Sequence, residues 1–78
     1  MITTSNSKVS VSDIIRYEEG DMTVREMVYF FSLLIRSGML NRMQGSYGRM
    51  ASQLFEYELL DASGQVNQDI LEEFLNRF

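Results

Sequence analysis

The chain contains no cysteine, no histidine and no proline among its 78 residues. Without cysteine it can form no disulfide and has no thiolate to serve as a nucleophile or metal ligand. Without histidine it lacks the commonest metal ligand and the side chain that titrates near neutral pH. The absence of proline suits a mostly helical chain, because proline breaks helix interiors. We therefore expect no metal, no cofactor and no enzymatic activity.

Basic residues are scarce. Seven Lys and Arg stand against eleven Asp and Glu, which gives a net charge of −4. Nucleic-acid-binding proteins usually carry a basic face, so this balance argues against a nucleic-acid partner. No apolar run approaches the ~20 residues that span a membrane, and the polar start "MITTSNSKVS" lacks the apolar segment of a signal peptide. We expect a soluble, cytoplasmic protein with no membrane partner.

The length limits the fold to a single domain. A chain this short buries only roughly 60% of its unfolded surface, so its core is marginal. Residues 1–9 are rich in Ser, Thr and Asn and are predicted to form a flexible tail. Beyond this tail, the sequence predicts a helical core over residues 10–60, a loop over 61–66 and an amphipathic helix over 67–78.

A short first helix is predicted in "SVSDIIRYEEGD". Ser10 or Ser12 can serve as its N-cap, and Gly20 can end it in the left-handed conformation. Three apolar residues of this helix are expected to share one face: Val11, Ile14 and Ile15.

The second helix has the clearest signals. Thr23 and Glu26 form a capping box at its start, and Arg36 and Gly38 are stop signals at its end. Its helical stripe comprises Val24, Met27, Val28, Phe31, Leu34 and Ile35. Tyr29, Phe30 and Leu33 lie off that stripe. The helix is therefore apolar on most sides and should occupy the centre of the fold or an oligomer interface.

Two further helices follow. "MLNRMQG" is predicted to be a connector with one helical turn, and a third helix should run from about Ser46 to Leu59. A fourth helix is capped by Asn67. Its apolar stripe comprises Ile70, Leu71, Phe74, Leu75 and Phe78. The predicted fold is all-α, with a three-helix core of helix-turn-helix type plus this C-terminal helix.

The segment "QGSYGR" is the main candidate for a binding or structural motif. It comprises Gln44, Gly45, Ser46, Tyr47, Gly48 and Arg49. With Ser46 as N-cap, the amides of residues 47–49, the helix dipole and Arg49 would form an anion site. Alternatively, Gly45 takes a positive φ in a tight turn and Gly48 lets a neighbouring helix approach closely. The sequence leaves both interpretations open.

Other motifs have simple structural explanations. "DASGQVNQDILEEF" resembles a calcium loop, but no register places both the glycine and the final glutamate where an EF-hand requires them. The acidic pairs Glu18-Glu19 and Glu72-Glu73 are neighbours in sequence and point about 100° apart on a helix. They are expected to be solvated, because a general acid–base pair needs convergent carboxyls in a cleft.

The apolar residues exceed what a small core can shelter. The candidate interface comprises Tyr29, Phe30, Leu33, Ile70, Leu71, Phe74, Leu75 and Phe78. The fourth helix can fold back onto the core or pair with a second chain. We expect the second arrangement, a homodimer.

Three blocks resemble a family of short, uncharacterised proteins of tailed bacteriophages. They are "DIIRYEEGDM", "FFSLLIRSGM" and "MQGSYGRMASQLFE", and the resemblance covers residues 13–60. Members show a Q-G-x-Y-G-R-x-A-x-x-L motif. Met50 departs from a usual threonine and Glu58 from a common helix-ending glycine. The helix after Gly64 lies outside the family pattern and is expected to be an addition to it. The resemblance implies phage origin and no particular activity.

Together these observations predict a non-enzymatic bacteriophage accessory protein in the cytoplasm of an infected bacterial host. It would bind a host or phage protein through an apolar helical surface. The alternative is a small helix-turn-helix DNA-binding protein, because the turn near Gly38 and the "SYGRMASQLF" helix suit a recognition helix in outline.

Overall fold

The computed structural model describes residues 9–77. In this range the chain forms four α-helices and one short 3-10 helix. In chain order they are α1 (Val11–Glu18), α2 (Val24–Arg36), the 3-10 helix (Met39–Arg42), α3 (Gly45–Glu56) and α4 (Gln68–Asn76). The predicted all-α fold is confirmed, including the helical turn in the connector.

Side-chain caps set the starts of three helices. Ser10 caps α1 and Asn67 caps α4, each by accepting a hydrogen bond from the amide three residues on. At α2 both bonds of the capping box are present: the Glu26 amide donates to the Thr23 hydroxyl at 3.1 Å, and the Thr23 amide donates to the Glu26 carboxylate at 3.0 Å. These local signals were sufficient to predict where the helices begin.

Left-handed residues set the helix ends. Gly20 follows α1 with φ of 72° and Gly38 follows α2 with φ of 78°, as predicted. α3 ends at Glu56, earlier than the predicted Leu59, because Glu58 adopts φ of 63°. The Leu59 amide then donates to the Leu54 carbonyl at 3.1 Å, which completes a Schellman motif without glycine.

α2 lies at the centre of the core. Val28, Phe31 and Leu34 on its predicted stripe have no exposed surface, and Phe30, off that stripe, is also buried. Two rings of α2 form an aromatic cluster with one ring each from α1 and α3, and the contacting centroids lie 5.1 to 6.1 Å apart. The four rings are Tyr17, Phe30, Phe31 and Tyr47. This aromatic cluster joins α1, α2 and α3 and accounts for much of the apolar surface that the chain has to bury.

α4 folds back onto α2 of the same chain. Leu71 is fully buried, and the Arg25 guanidinium lies 3.0 Å from the Glu72 carboxylate. The side-chain amide of Gln68 also donates a hydrogen bond to the Tyr29 hydroxyl. Leu71 is buried in the core, and Ile70, Phe74 and Leu75 pack against it, so α4 is part of the core of its own chain.

The connection between α3 and α4 contains the predicted loop, which is ordered by an internal turn. Leu60 and Val66 form an antiparallel bridge, and the Asp61 carboxylate accepts hydrogen bonds from Ser63 and Gln65. Gly64 is buried with φ of 91°. This arrangement packs the turn against α2 and positions the start of α4.

Candidate functional site

The "QGSYGR" segment forms the start of α3, one residue earlier than predicted. Gln44 is the N-cap, although its side chain makes no capping bond, and the helix begins at Gly45. The Tyr47 amide donates to the Gln44 carbonyl at 2.9 Å. Ser46 is therefore not the cap. The predicted set of three free amides at residues 47–49 is wrong, because the amide of Tyr47 is already bonded.

Neither glycine in this segment is required by packing. Gly45 has no positive φ, and a Cβ there would meet only the Arg49 Nη1 atom at 3.7 Å. A Cβ on Gly48 would meet nothing within 4 Å. Both packing explanations, the tight turn at Gly45 and the close helix approach at Gly48, are therefore wrong. Both residues are exposed on the surface of α3.

Tyr47 is the buried residue of the motif. Its ring is 2% exposed, and its hydroxyl donates to the Glu18 carboxylate at 2.7 Å. Burial raises the pKa of Tyr47 well above its ordinary value, and the hydrogen bond to Glu18 raises that pKa further. The side chain stays neutral at physiological pH and holds the start of α3 against the end of α1.

A groove lies beside this contact. It has a volume of about 520 Å³, and its lining combines two tyrosines, two methionines and a few polar groups: Tyr17, Glu18, Gly20, Met22, Met27, Gln44, Ser46 and Tyr47. Three motif residues therefore reach one groove, whereas Gly45, Gly48 and Arg49 do not line it. Residues 9–77 contain no cluster of three or more Asp and Glu side chains that could hold a metal ion.

The predicted interface residues do not form one surface. Phe30 and Leu71 are core residues with 3% and 0% exposure, which corrects their assignment to an interface. Tyr29 is 39% exposed. The half-buried members pack against the core: Leu33, Ile70, Phe74 and Leu75. Phe78 lies outside the described residues.

An exposed apolar face lies on α1 and is formed by two of the three residues predicted to share one side of that helix. Val11 is 71% exposed and Ile15 is 50% exposed, whereas Ile14 packs against the core. Val11 and Ile15 lie one turn apart on the same side of the helix. Ile14 and Tyr17 pack against the core, so the core side of α1 is centred on them and not on Val11. Glu18 and Glu19 continue this exposed side toward the helix end.

Arg16 faces away from that side. Its guanidinium lies 2.8 Å from the Glu26 carboxylate and donates to the Asp21 carbonyl at 3.2 Å. The pKa of Glu26 is lowered, first by the hydrogen bond from the Thr23 amide and then by the one from Arg16. This ion pair fixes α1 against the start of α2 and leaves the α1 face, defined as Val11, Ile15, Glu18 and Glu19, without a basic residue.

A larger groove of about 900 Å³ lies between the end of α3, the ordered turn and the start of α4. We call it the acidic groove. Its lining is Phe55, Glu58, Leu60, Asp61, Ala62, Gln65, Val66, Asn67, Gln68 and Asp69. Hydrogen bonds from Ser63 and then from the Gln65 amide lower the pKa of Asp61. The sequence does not predict this groove, because its lining residues form no recognisable motif.

The chain belongs to the family DUF7417, a domain of unknown function, whose model matches residues 5–75. That match extends past residues 13–60 and includes α4 except for its last residue, so α4 is part of this family's domain and not an addition to it. No curated protein and no solved structure matches the chain. Within the described residues 9–77, no helix has both the length and the apolar character needed to cross a membrane.

Proposed function

We propose that this DUF7417 protein is a non-enzymatic accessory protein of a tailed bacteriophage, and that it binds a host or phage protein through the α1 face. The observation that carries this proposal is the exposure of Val11 and Ile15, one turn apart on one helix. The resemblance of three sequence blocks to phage proteins supports the phage origin. It also supports action in the cytoplasm of the infected bacterial host.

The α1 face differs from the other apolar surfaces of the protein. α2, α3 and α4 each place at least one residue in the buried core, whereas α1 contains no buried residue. Burying an aliphatic side chain such as that of Val11 or Ile15 is worth roughly 1.5–3 kcal/mol. A partner that covers both side chains would therefore gain part of its binding free energy from burying them.

The charge beside Val11 and Ile15 indicates the kind of partner. Glu18 and Glu19 are exposed at the end of the same face, and the whole chain has a net charge of −4. An apolar surface bordered by Lys or Arg would complement both features. Such a complex should associate more slowly as salt concentration rises, because the charge pairs steer the encounter.

A comparative pull-down from bacterial lysate tests this proposal. Tagged wild-type protein should retain a partner that a Val11→Ser/Ile15→Ser double variant loses. The matched control is Tyr57→Ser, which removes another exposed apolar side chain, 58% exposed, from the other end of the domain. Binding of the purified partner to all three proteins should then be measured at low and high salt.

Two results would contradict the proposal. The first is equal retention of the partner by the wild type and the α1 double variant. The second is a salt-sensitive gel shift with random duplex DNA, which would favour the alternative of a small helix-turn-helix DNA-binding protein. The exposed side of α3 carries Arg49 as its one basic residue and also Glu56, so we expect no such shift.

A further inference from the structure

We propose that the acidic groove is a second docking site, and that it binds a protein segment in which Lys or Arg alternates with aliphatic residues. This inference goes beyond the α1 face, which lies on a different helix. It rests on the shape of the groove and on the charge of its rim.

The groove has an apolar floor and a charged rim. Phe55, Leu60 and Val66 belong to or pack against the hydrophobic core and also line the groove. Glu58, Asp61 and Asp69 are exposed and line the same space. The lining contains no Lys or Arg. A volume of about 900 Å³ is large enough to hold several side chains of a peptide.

The wall of the groove is fixed before any partner binds. The Asp61 Oδ1 atom accepts hydrogen bonds from the Ser63 amide at 2.9 Å, the Ser63 hydroxyl at 2.6 Å and the Gln65 amide at 3.0 Å. The Leu60–Val66 bridge closes the same turn. A partner would therefore meet a preformed surface, which lowers the entropic cost of binding.

The apolar floor and the acidic rim together favour a ligand that is both aliphatic and positively charged. An anionic ligand would meet three carboxylates of like charge, and a purely apolar one would desolvate those carboxylates without compensation. A Lys or Arg side chain can lay its aliphatic stem along the apolar floor and keep its charged end at the rim. Aliphatic neighbours of that side chain would cover the rest of the floor.

A designed peptide tests the site in the full-length protein. The probe is acetyl-Lys-Leu-Lys-Leu-Lys-amide, and its charge-reversed control is acetyl-Glu-Leu-Glu-Leu-Glu-amide. In an NMR titration the basic peptide should shift the amides of Glu58, Leu60, Val66 and Asp69, and the acidic peptide should not. Glu58→Gln and Asp69→Asn should each weaken binding on the order of two- to fivefold, as expected for one partly exposed charge pair.

Two further variants separate groove binding from general charge attraction and from misfolding. Glu73→Gln removes the same charge from an exposed position outside the groove and should leave the affinity unchanged. Glu58→Gly removes the carboxylate and also relieves the left-handed backbone at φ of 63°. It should raise the melting temperature and yet weaken peptide binding, so loss of binding could not be attributed to loss of fold.

The proposal is overturned if Glu73→Gln weakens binding as much as Glu58→Gln does. It is also overturned if the basic peptide shifts amides over the whole surface, or if it shifts none in the groove. The Val11→Ser/Ile15→Ser variant should bind the peptide as the wild type does. A negative result for peptide binding in the groove can therefore be distinguished from a negative result for partner binding at the α1 face.

Discussion

The Ser32 hydroxyl in the middle of α2 donates a hydrogen bond to the carbonyl oxygen of Gly64, which lies in the turn before α4. The Arg36 Nε atom donates to the same carbonyl at 3.3 Å. Ser32 is the one buried polar side chain among the described residues. This contact gives the Ser32 hydroxyl its hydrogen-bond partner and fixes the turn against α2. The position of α4 therefore depends on how closely Gly64 approaches α2.

Gly64→Ala should destabilise the protein by roughly 2–4 kcal/mol. A Cβ at this position would lie 2.9 Å from the Arg36 Cγ atom and 3.1 Å from the Ser32 carbonyl oxygen. The φ of 91° adds backbone strain for any residue with a side chain. Urea unfolding followed by circular dichroism measures the change. Unaltered stability would mean that the turn does not pack against α2 as the structure describes.

Gly48→Ala should instead stabilise the protein, by up to about 1 kcal/mol, because alanine is the better helix former and open space surrounds the site. Gly45→Ala should have a smaller effect, since its Cβ would meet only the end of the Arg49 side chain. Both variants can be measured beside Gly64→Ala under the same conditions. A loss of stability in Gly48→Ala would reveal a close contact at that position.

Stability should fall as pH rises above about 10, because of Tyr47. Its pKa is raised above the ordinary value of 10.0 by burial and by the hydrogen bond to Glu18. Between the unfolded and folded pKa values, the native state retains a proton that the unfolded state has released, so rising pH favours unfolding. The pKa of Tyr17 is also raised, first by burial and then by Glu18.

Tyr47→Phe should make this alkaline loss of stability shallower, without removing it, because Tyr17 remains. Melting temperatures of the wild type and the variant across the alkaline range test this. The control is Tyr57→Phe, which removes a hydroxyl from an exposed position and against which the effect of Tyr47→Phe is judged. Identical profiles for the wild type and Tyr47→Phe would show that Tyr47 is not the group responsible.

The features that the sequence predicted correctly are local ones. Thr23 and Glu26 are three residues apart and form their capping box regardless of the rest of the fold. Gly20 and Gly38 end their helices because they adopt the left-handed conformation at little cost. The boundaries of α1 and α2 could therefore be predicted from neighbouring residues alone.

Two features near the start of α4 could not be predicted from the sequence. The burial of Gly64 is one, because its contact with Ser32 spans 32 positions of the chain. Glu58 takes a left-handed conformation although it is not glycine, and the motif that it closes brings the buried residues Leu54 and Leu59 together. The acidic groove is lined by residues from the end of α3, the turn and the start of α4, and these residues form no motif in the sequence.

The exposure of Val11 and Ile15 could not be predicted for a different reason. Val11 and Ile15 are apolar, and apolar residues at helical spacing usually face the core. The periodicity of so short a helix does not determine which of its sides is buried. Here Tyr17 packs against the other rings of the aromatic cluster. This contact fixes the rotation of α1 and leaves Val11 exposed.

The contribution of α4 to the core can be tested by substitution and by truncation. Leu71 is fully buried, so Leu71→Ala should destabilise the protein by about 2–5 kcal/mol. A chain ending at Gly64 should fail to fold, because the core would lose Leu71 and the residues packed around it. Circular dichroism of the shortened chain tests the second point. A shortened chain that melts cooperatively would restore the three-helix core that the sequence suggested.

Light scattering of the full-length protein tests the dimer separately. Leu71 is buried within its own chain, so pairing through α4 could use only the outward side of that helix. We therefore expect any self-association to use Val11 and Ile15 and to strengthen as salt rises, because Glu18 and Glu19 of the two chains would repel each other. The Val11→Ser/Ile15→Ser variant should then be monomeric at concentrations where the wild type associates. A dimer that persists in this variant and dissociates only when the exposed side of α4 is altered would contradict this arrangement.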